Sequence, residues 1–122
     1  MPVRAVRGAT QVSADLGDLI LAATGELVSE VLRANDLSAD DVISILFTAT
    51  PDLRSQAPAL AARLLGLTEV ALLCAQEMLV VGSMPRVVRL LAHVETDRPR
   101  TEVCNVYLNG TEALRGEPPE PA

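Results

Sequence analysis

Residues 70–78 read "VALLCAQEM". A strand-like apolar run ends in a thiol, an amide and a carboxylate. A carboxylate left unpaired among apolar groups is costly, so Glu77 needs partners. The chain offers cations of one kind: all ten basic residues are Arg, with no Lys. Arg carries a planar fork of donors that grips planar anions bidentately. A base-composition bias in the genome accounts for the count but not for the positions. Arg7 and Arg89 fall in strand-like segments, and Arg63 in a short helix-like one. A lone Arg in such a place is ordinarily a snorkelling surface residue.

Several chemistries lack their residues. The sole His93 cannot build a His-rich metal centre, and no CxxC is present. The glycines form no phosphate loop. A Ser-His-Asp arrangement would need His93 as base, and nothing marks a partner serine. Cys74 has no obvious base, and an isolated Cys on an apolar strand is usually a small core residue. What remains is Arg near strands, with Glu77, Cys74 and Tyr107. Such a set suits positioning and electrostatics rather than bond-making, and would bind a small polyanion.

The elements that must position these residues follow from periodicity. Residues 3–12 alternate as a strand, with Val3, Ala5, Arg7 and Ala9 on one parity. Residues 13–36 contain a helix with Leu16, Leu19, Ile20, Ala23, Leu27, Val31 and Leu32 in one stripe. Ser13 or Asp15 is its expected cap, Asp18 suits its positive end, and Asn35 its stop. Gly25 weakens it by about 1 kcal/mol relative to Ala. "SADD" at 38–41 matches a capping box, and "VISILFTA" at 42–49 a buried strand. Pro58 opens a short helix that Gly66 ends, with Leu60, Leu64 and Leu65 expected inward. Residues 69–75 read as a strand, with Val70, Leu72 and Cys74 on one face. Residues 86–95 suit either helix or strand. The flanking Gly82 and Pro85 favour strand, which places Arg89 beside Val87 and Leu91 in parity. Residues 103–108 form a last strand carrying Tyr107, and "NG" at 109–110 is a turn. Residues 116–122 are a Pro-rich acidic tail, expected to be flexible. This is an α+β or mixed α/β domain over residues 1–115, with more strands than helices to cover them.

Bulk properties agree with one folded domain. The chain has 122 residues, 49% hydrophobic and only 2% aromatic, so Leu, Val, Ile and Ala must build the core. Such a domain is marginal alone, and burial between subunits would help it. A formal net charge of −6 argues against nucleic acid and anionic membranes as partners. Two cysteines are too few for a disulfide scaffold, and no apolar run reaches signal-core or membrane-spanning length. A cytoplasmic location is expected.

Six segments occur together in order: "VRAVRGAT", "TATPDL", "PALAARLLG", "CAQEM", "RVVRLL" and "VYLNGTEALR". In this the chain resembles the monofunctional chorismate mutases of the trimeric, pseudo-α/β-barrel type, over residues 1 to about 115. The resemblance implies a five-stranded mixed sheet with one long and one short helix, assembling as a barrel-like homotrimer with sites at subunit clefts. It implies the Claisen rearrangement of chorismate to prephenate, on the way to Phe and Tyr, with no cofactor, metal or covalent intermediate. Carried over by motif, Arg89 donates to the ether oxygen. Arg7, helped by Tyr107, binds the side-chain carboxylate. Glu77 accepts from the ring hydroxyl and faces the developing positive charge, with Cys74 supporting that contact. Arg63 approaches the carboxylate end from across the interface, and Arg115 closes over the site. Leu72, Leu73 and Ala57 are implied as further substrate contacts. Ala57 and Leu60 depart from the family pattern, which often has an aromatic and a Lys there. A more open cleft and one missing electrostatic contact are expected.

Two other readings stand beside this one: a non-catalytic trimeric sensor of small carboxylates, and an imine deaminase of a similar trimeric fold. The carboxylate of "CAQEM" with Arg7 and Arg89 favours the mutase over both.

Overall fold

The computed structural model describes residues 1–115; the expectation for the tail at 116–122 lies outside the described residues. The order is β1 (Val3–Gln11), α1 (Gly17–Ala34), β2 (Val42–Ala49), α2 (Ala59–Leu64), β3 (Ala71–Gln76), β4 (Val87–Glu95) and β5 (Val106–Leu108), with short 3-10 turns between. The five strands form one sheet in the order β3-β2-β4-β1-β5. The pairs β1–β5 and β2–β3 are parallel, while β4 runs antiparallel to both β1 and β2. The expected mixed five-stranded sheet with two helices is borne out. Among the described residues, no helix is long and apolar enough to cross a membrane.

Both helices lie on one face. Val6, Ile45, Phe47, Val88, Leu90, Ala92 and Val94 meet Ile20, Leu27, Val28 and Val31 of α1 in a single core. Gly8 is what permits this approach: a Cβ there would stand 3.1 Å from Leu27 Cδ1 and 3.3 Å from Leu90 Cγ. Among the described residues, the opposite face has no helix. Val3, Ala5, Arg7, Leu46, Arg89 and Leu91 on it are exposed or half-buried, while Ala9, Val87 and Tyr107 are buried.

Several expectations about helix ends and faces are corrected. The helix α1 starts at Gly17 with Leu16 as cap and without a side-chain cap hydrogen bond. Asp15 instead accepts from the Arg54 and Ser55 backbone N–H groups at 2.9 and 3.0 Å, tying the α1 entry to the loop before α2. The Arg54 hydrogen bond lowers the Asp15 pKa, against desolvation that raises it. Leu16 is 57% exposed, outside the stripe, and Thr24 and Val28 fill it instead. In α2 the buried residues are Ala59, Ala61 and Ala62, while Leu64 and Leu65 are exposed. Alanines allow α2 to lie close to α1, and the helix is too short to turn its leucines under as well. The last strand is also shorter than expected, because Val103–Asn105 form a loop. Its Cys104 N–H and C=O are both bonded to the Asn35 side chain, at 2.8 and 2.9 Å. Asn35 does end α1, and the Ser38/Asp41 capping box forms.

Candidate active site

Strand alternation and register gather the charged residues on the face without helices. Arg89 of β4 sits between Ala9 of β1 and Thr48 of β2. Arg7 pairs with Leu91, and Tyr107 with Ala9. Paired residues project to the same side of a sheet, so these side chains share one surface. They surround a cavity of about 280 Å³ whose lining includes Arg7, Thr48, Glu77, Arg89, Tyr107 and Leu114.

Glu77 reaches this cavity from just beyond the end of β3. Its N–H donates to the Ala49 carbonyl at 2.8 Å, extending the β2–β3 ladder by one bond. Its Oε1 accepts from Thr48 Oγ1 at 2.5 Å, and its Oε2 stands 3.5 Å from Arg89 Nε. That last contact is an ion pair without hydrogen-bond geometry. Arg89 Nε is buried and has no acceptor among the described residues, although the Arg89 side chain as a whole is 43% exposed. The root of the guanidinium fork is thus dry, and the exposure belongs to the rest of the side chain. A buried donor left unpaired costs about 1–3 kcal/mol, which an arriving acceptor can recover.

The other cations are placed by neighbouring elements. The Arg7 N–H donates to Asn105 Oδ1 at 2.8 Å, so Asn105 continues the β1–β5 pairing where the ladder stops. Tyr107 is 9% exposed and rests with Ala9 and Val87 in a small apolar cluster flanked by Met84 and Leu114. The "NG" turn forms with positive φ at both Asn109 and Gly110. It leads into a 3-10 turn anchored by Thr111 Oγ1, which donates to Ala9 and Leu108 carbonyls. That path brings the Arg115 guanidinium carbon 5.0 Å from the Tyr107 ring centroid, a cation–π contact.

The remaining candidates lie elsewhere on the chain. Cys74 pairs with Phe47, on the helix-covered side, and its Sγ accepts from the Ala59 N–H at 3.4 Å. It lines a separate hollow of about 570 Å³ together with Ala57. Leu72 packs against the main core, Leu73 is exposed on the open face, and Arg63 is exposed on α2. One chain therefore presents two groups: Arg7, Glu77, Arg89 and Tyr107 around one cavity, with Arg115 against the Tyr107 ring, and Ala57, Arg63, Leu72, Leu73 and Cys74 near the β3 edge. Sequence reasoning missed Thr48. Its parity with Leu46 was readable, but its position between Arg89 and the end of β3 depends on register.

Two arginines and a carboxylate lining one half-buried cavity can hold a small polyanion and stabilise separated charge. The matches to known proteins agree in kind. The family model described as chorismate mutase type I matches residues 3–118. Chorismate mutase AroH of Thermus thermophilus is 45% identical over 114 residues, 93% of each chain. Chorismate mutase AroH of Bacillus subtilis is 38% identical over 116 residues, covering 94% of this chain and 91% of that one. A solved chorismate mutase from Clostridium thermocellum superposes with a TM-score of 0.88 at 45% identity, covering 89% of this chain and 97% of that one. With its sheet order, its cavity and matches along nearly its whole length, this chain belongs to the type I chorismate mutase family.

Proposed function

We propose that the protein performs its family's reaction, the rearrangement of chorismate to prephenate, by electrostatic stabilisation and positioning. The carrying observation is Arg89, which lines a cavity together with Glu77 and Arg7 and whose buried Nε has no acceptor among the described residues. As the ether bond breaks, negative charge grows on its oxygen and positive charge on the ring. Arg89 donates to that oxygen. Glu77 accepts from the ring hydroxyl and faces the ring's positive charge. Arg7 holds the side-chain carboxylate, with Tyr107 beside it and Arg115 above the ring of Tyr107. None of these side chains forms a covalent bond or takes a proton from the reacting atoms. The rate arises from contacts that strengthen towards the transition state.

A homotrimer with sites between subunits, working in the cytoplasm, completes this reading. The division of site residues into two groups within one chain supports it: the group with Ala57, Arg63, Leu73 and Cys74 serves a neighbour's cavity. The deciding experiment mixes the purified protein with chorismate and follows the loss of its absorbance. Acceleration over the uncatalysed reaction is expected. Binding without acceleration would instead fit a sensor, and would overturn the proposal.

A further inference from the structure

We propose that Thr48 is a positioning residue for this reaction: its hydroxyl fixes the Glu77 carboxylate and keeps it from quenching Arg89. The inference rests on the mutase reading and adds to it a residue with no role so far. Thr48 sits on β2, whose neighbours on both sides are paired: Ala75 on β3 and Arg89 on β4. Its β-branched side chain is stiff, so its hydroxyl has a fixed place. Glu77 is the opposite. It lies past the end of an edge strand, its backbone tied to β2 by the bond to Ala49, and its side chain has three torsions to settle.

The Thr48 hydroxyl has one proton to donate, and it goes to Glu77 Oε1 at 2.5 Å. Oε2 is then left 3.5 Å from Arg89 Nε, outside good hydrogen-bond geometry. Freed from Thr48, the carboxylate could swing onto the guanidinium and make a full pair. Both groups would then be occupied with each other, and the buried donor meant for the substrate's oxygen would be lost. Thr48 thus keeps acid and base apart at a distance where each still faces the ligand.

Thr48→Val replaces the hydroxyl with a methyl group and suits a strand. T48V acts through Glu77 and is expected to cost less than loss of a donor to the reacting atoms, lowering kcat about tenfold to a hundredfold, with KM within about twofold. T48S, which restores the donor, is expected within about threefold of wild type. Because Thr48 acts through Glu77, adding T48V to E77Q is expected to cost less than about twofold more. Should Val crowd Arg89 and disturb folding, T48A carries the same expectation. Wild-type kcat in T48V or T48A, or losses that multiply fully in the double variant, would overturn the role of Thr48 alone. Absence of turnover by the wild type would remove both this inference and the mutase reading.

Discussion

Arg89 combines three properties that Arg7, the other arginine lining the cavity, does not share: a buried Nε, no acceptor for it among the described residues, and a carboxylate 3.5 Å away. Its replacement has the sharpest expected consequence. Arg89→Ala is expected to lower kcat by about 10² to 10³, the usual loss for one preorganised donor. Arg89→Lys remains poor, because an ammonium does not reproduce the planar fork. Arg63→Ala costs far less kcat, since its exposed site on α2 suits a role in binding. Equal kcat losses in steady-state assays of R89A and R63A would contradict the assignment. Parity in the strands was enough to set Arg7 with Ala9 and Arg89 with Leu91. It could not show that both pairs meet on one surface, because pairing between distant strands decides that. The same alternation separates Cys74 from Glu77: three residues apart, they point to opposite sides, and the thiol bonds to Ala59 instead.

The helices supply the rigidity that this surface needs, and their ends are where pattern reading was weakest. Asp15 looked like a cap because it precedes an apolar stripe. Tertiary contact wins: the loop N–H groups of Arg54 and Ser55 take its carboxylate. Its pKa lies below the ordinary 3.8, chiefly through the Arg54 bond. A depressed folded-state pKa stabilises the fold above the unfolded value and loses that contribution as pH falls through the lower range. Asp15→Asn is therefore expected to be less stable than wild type near neutrality, and the gap to close as pH drops below 3.8. Denaturant midpoints across acid pH check this; a gap that stays constant would not fit. In α2, Leu60, Leu64 and Leu65 were expected inward, yet Leu64 and Leu65 are exposed and the alanines are buried, since close helix approach leaves no room for bulk. Gly25 offers a cleaner test. A Cβ there would meet nothing within 4 Å. Gly25→Ala is expected to stabilise by about 1 kcal/mol, read as a melting temperature a few degrees higher. A fall would mean that another surface covers Gly25.

One chain leaves apolar surface that its two helices cannot cover. Leu73 is 65% exposed on the open face, and Met78 and Leu79 are 79% and 77% exposed in the loop after β3. Burying each such side chain contributes roughly 1.5–3 kcal/mol, and in the proposed trimer a second copy would bury them and bring both residue groups of the site together. In the proposed head-to-tail ring, every cavity would meet the β3 edge and α2 of the next subunit. The composition hinted at this need through its few aromatics, but no residue pattern located the contacting faces. Light scattering of the eluted species is expected to give three times the chain mass. A stronger test pairs two damaged chains. R89A removes the donor of the first group, and Arg63→Glu sets a carboxylate where the second group should receive an anion. Each alone is expected to be nearly inactive. Co-expressed at equal levels with different tags, they assemble at random, and about a quarter of interfaces join an intact cavity to an intact neighbour. The doubly tagged species contain only mixed trimers, each with one such interface in three, so activity near a third of wild type is expected there. If both groups instead served the same chain's site, no interface would be intact, and mixing would restore nothing.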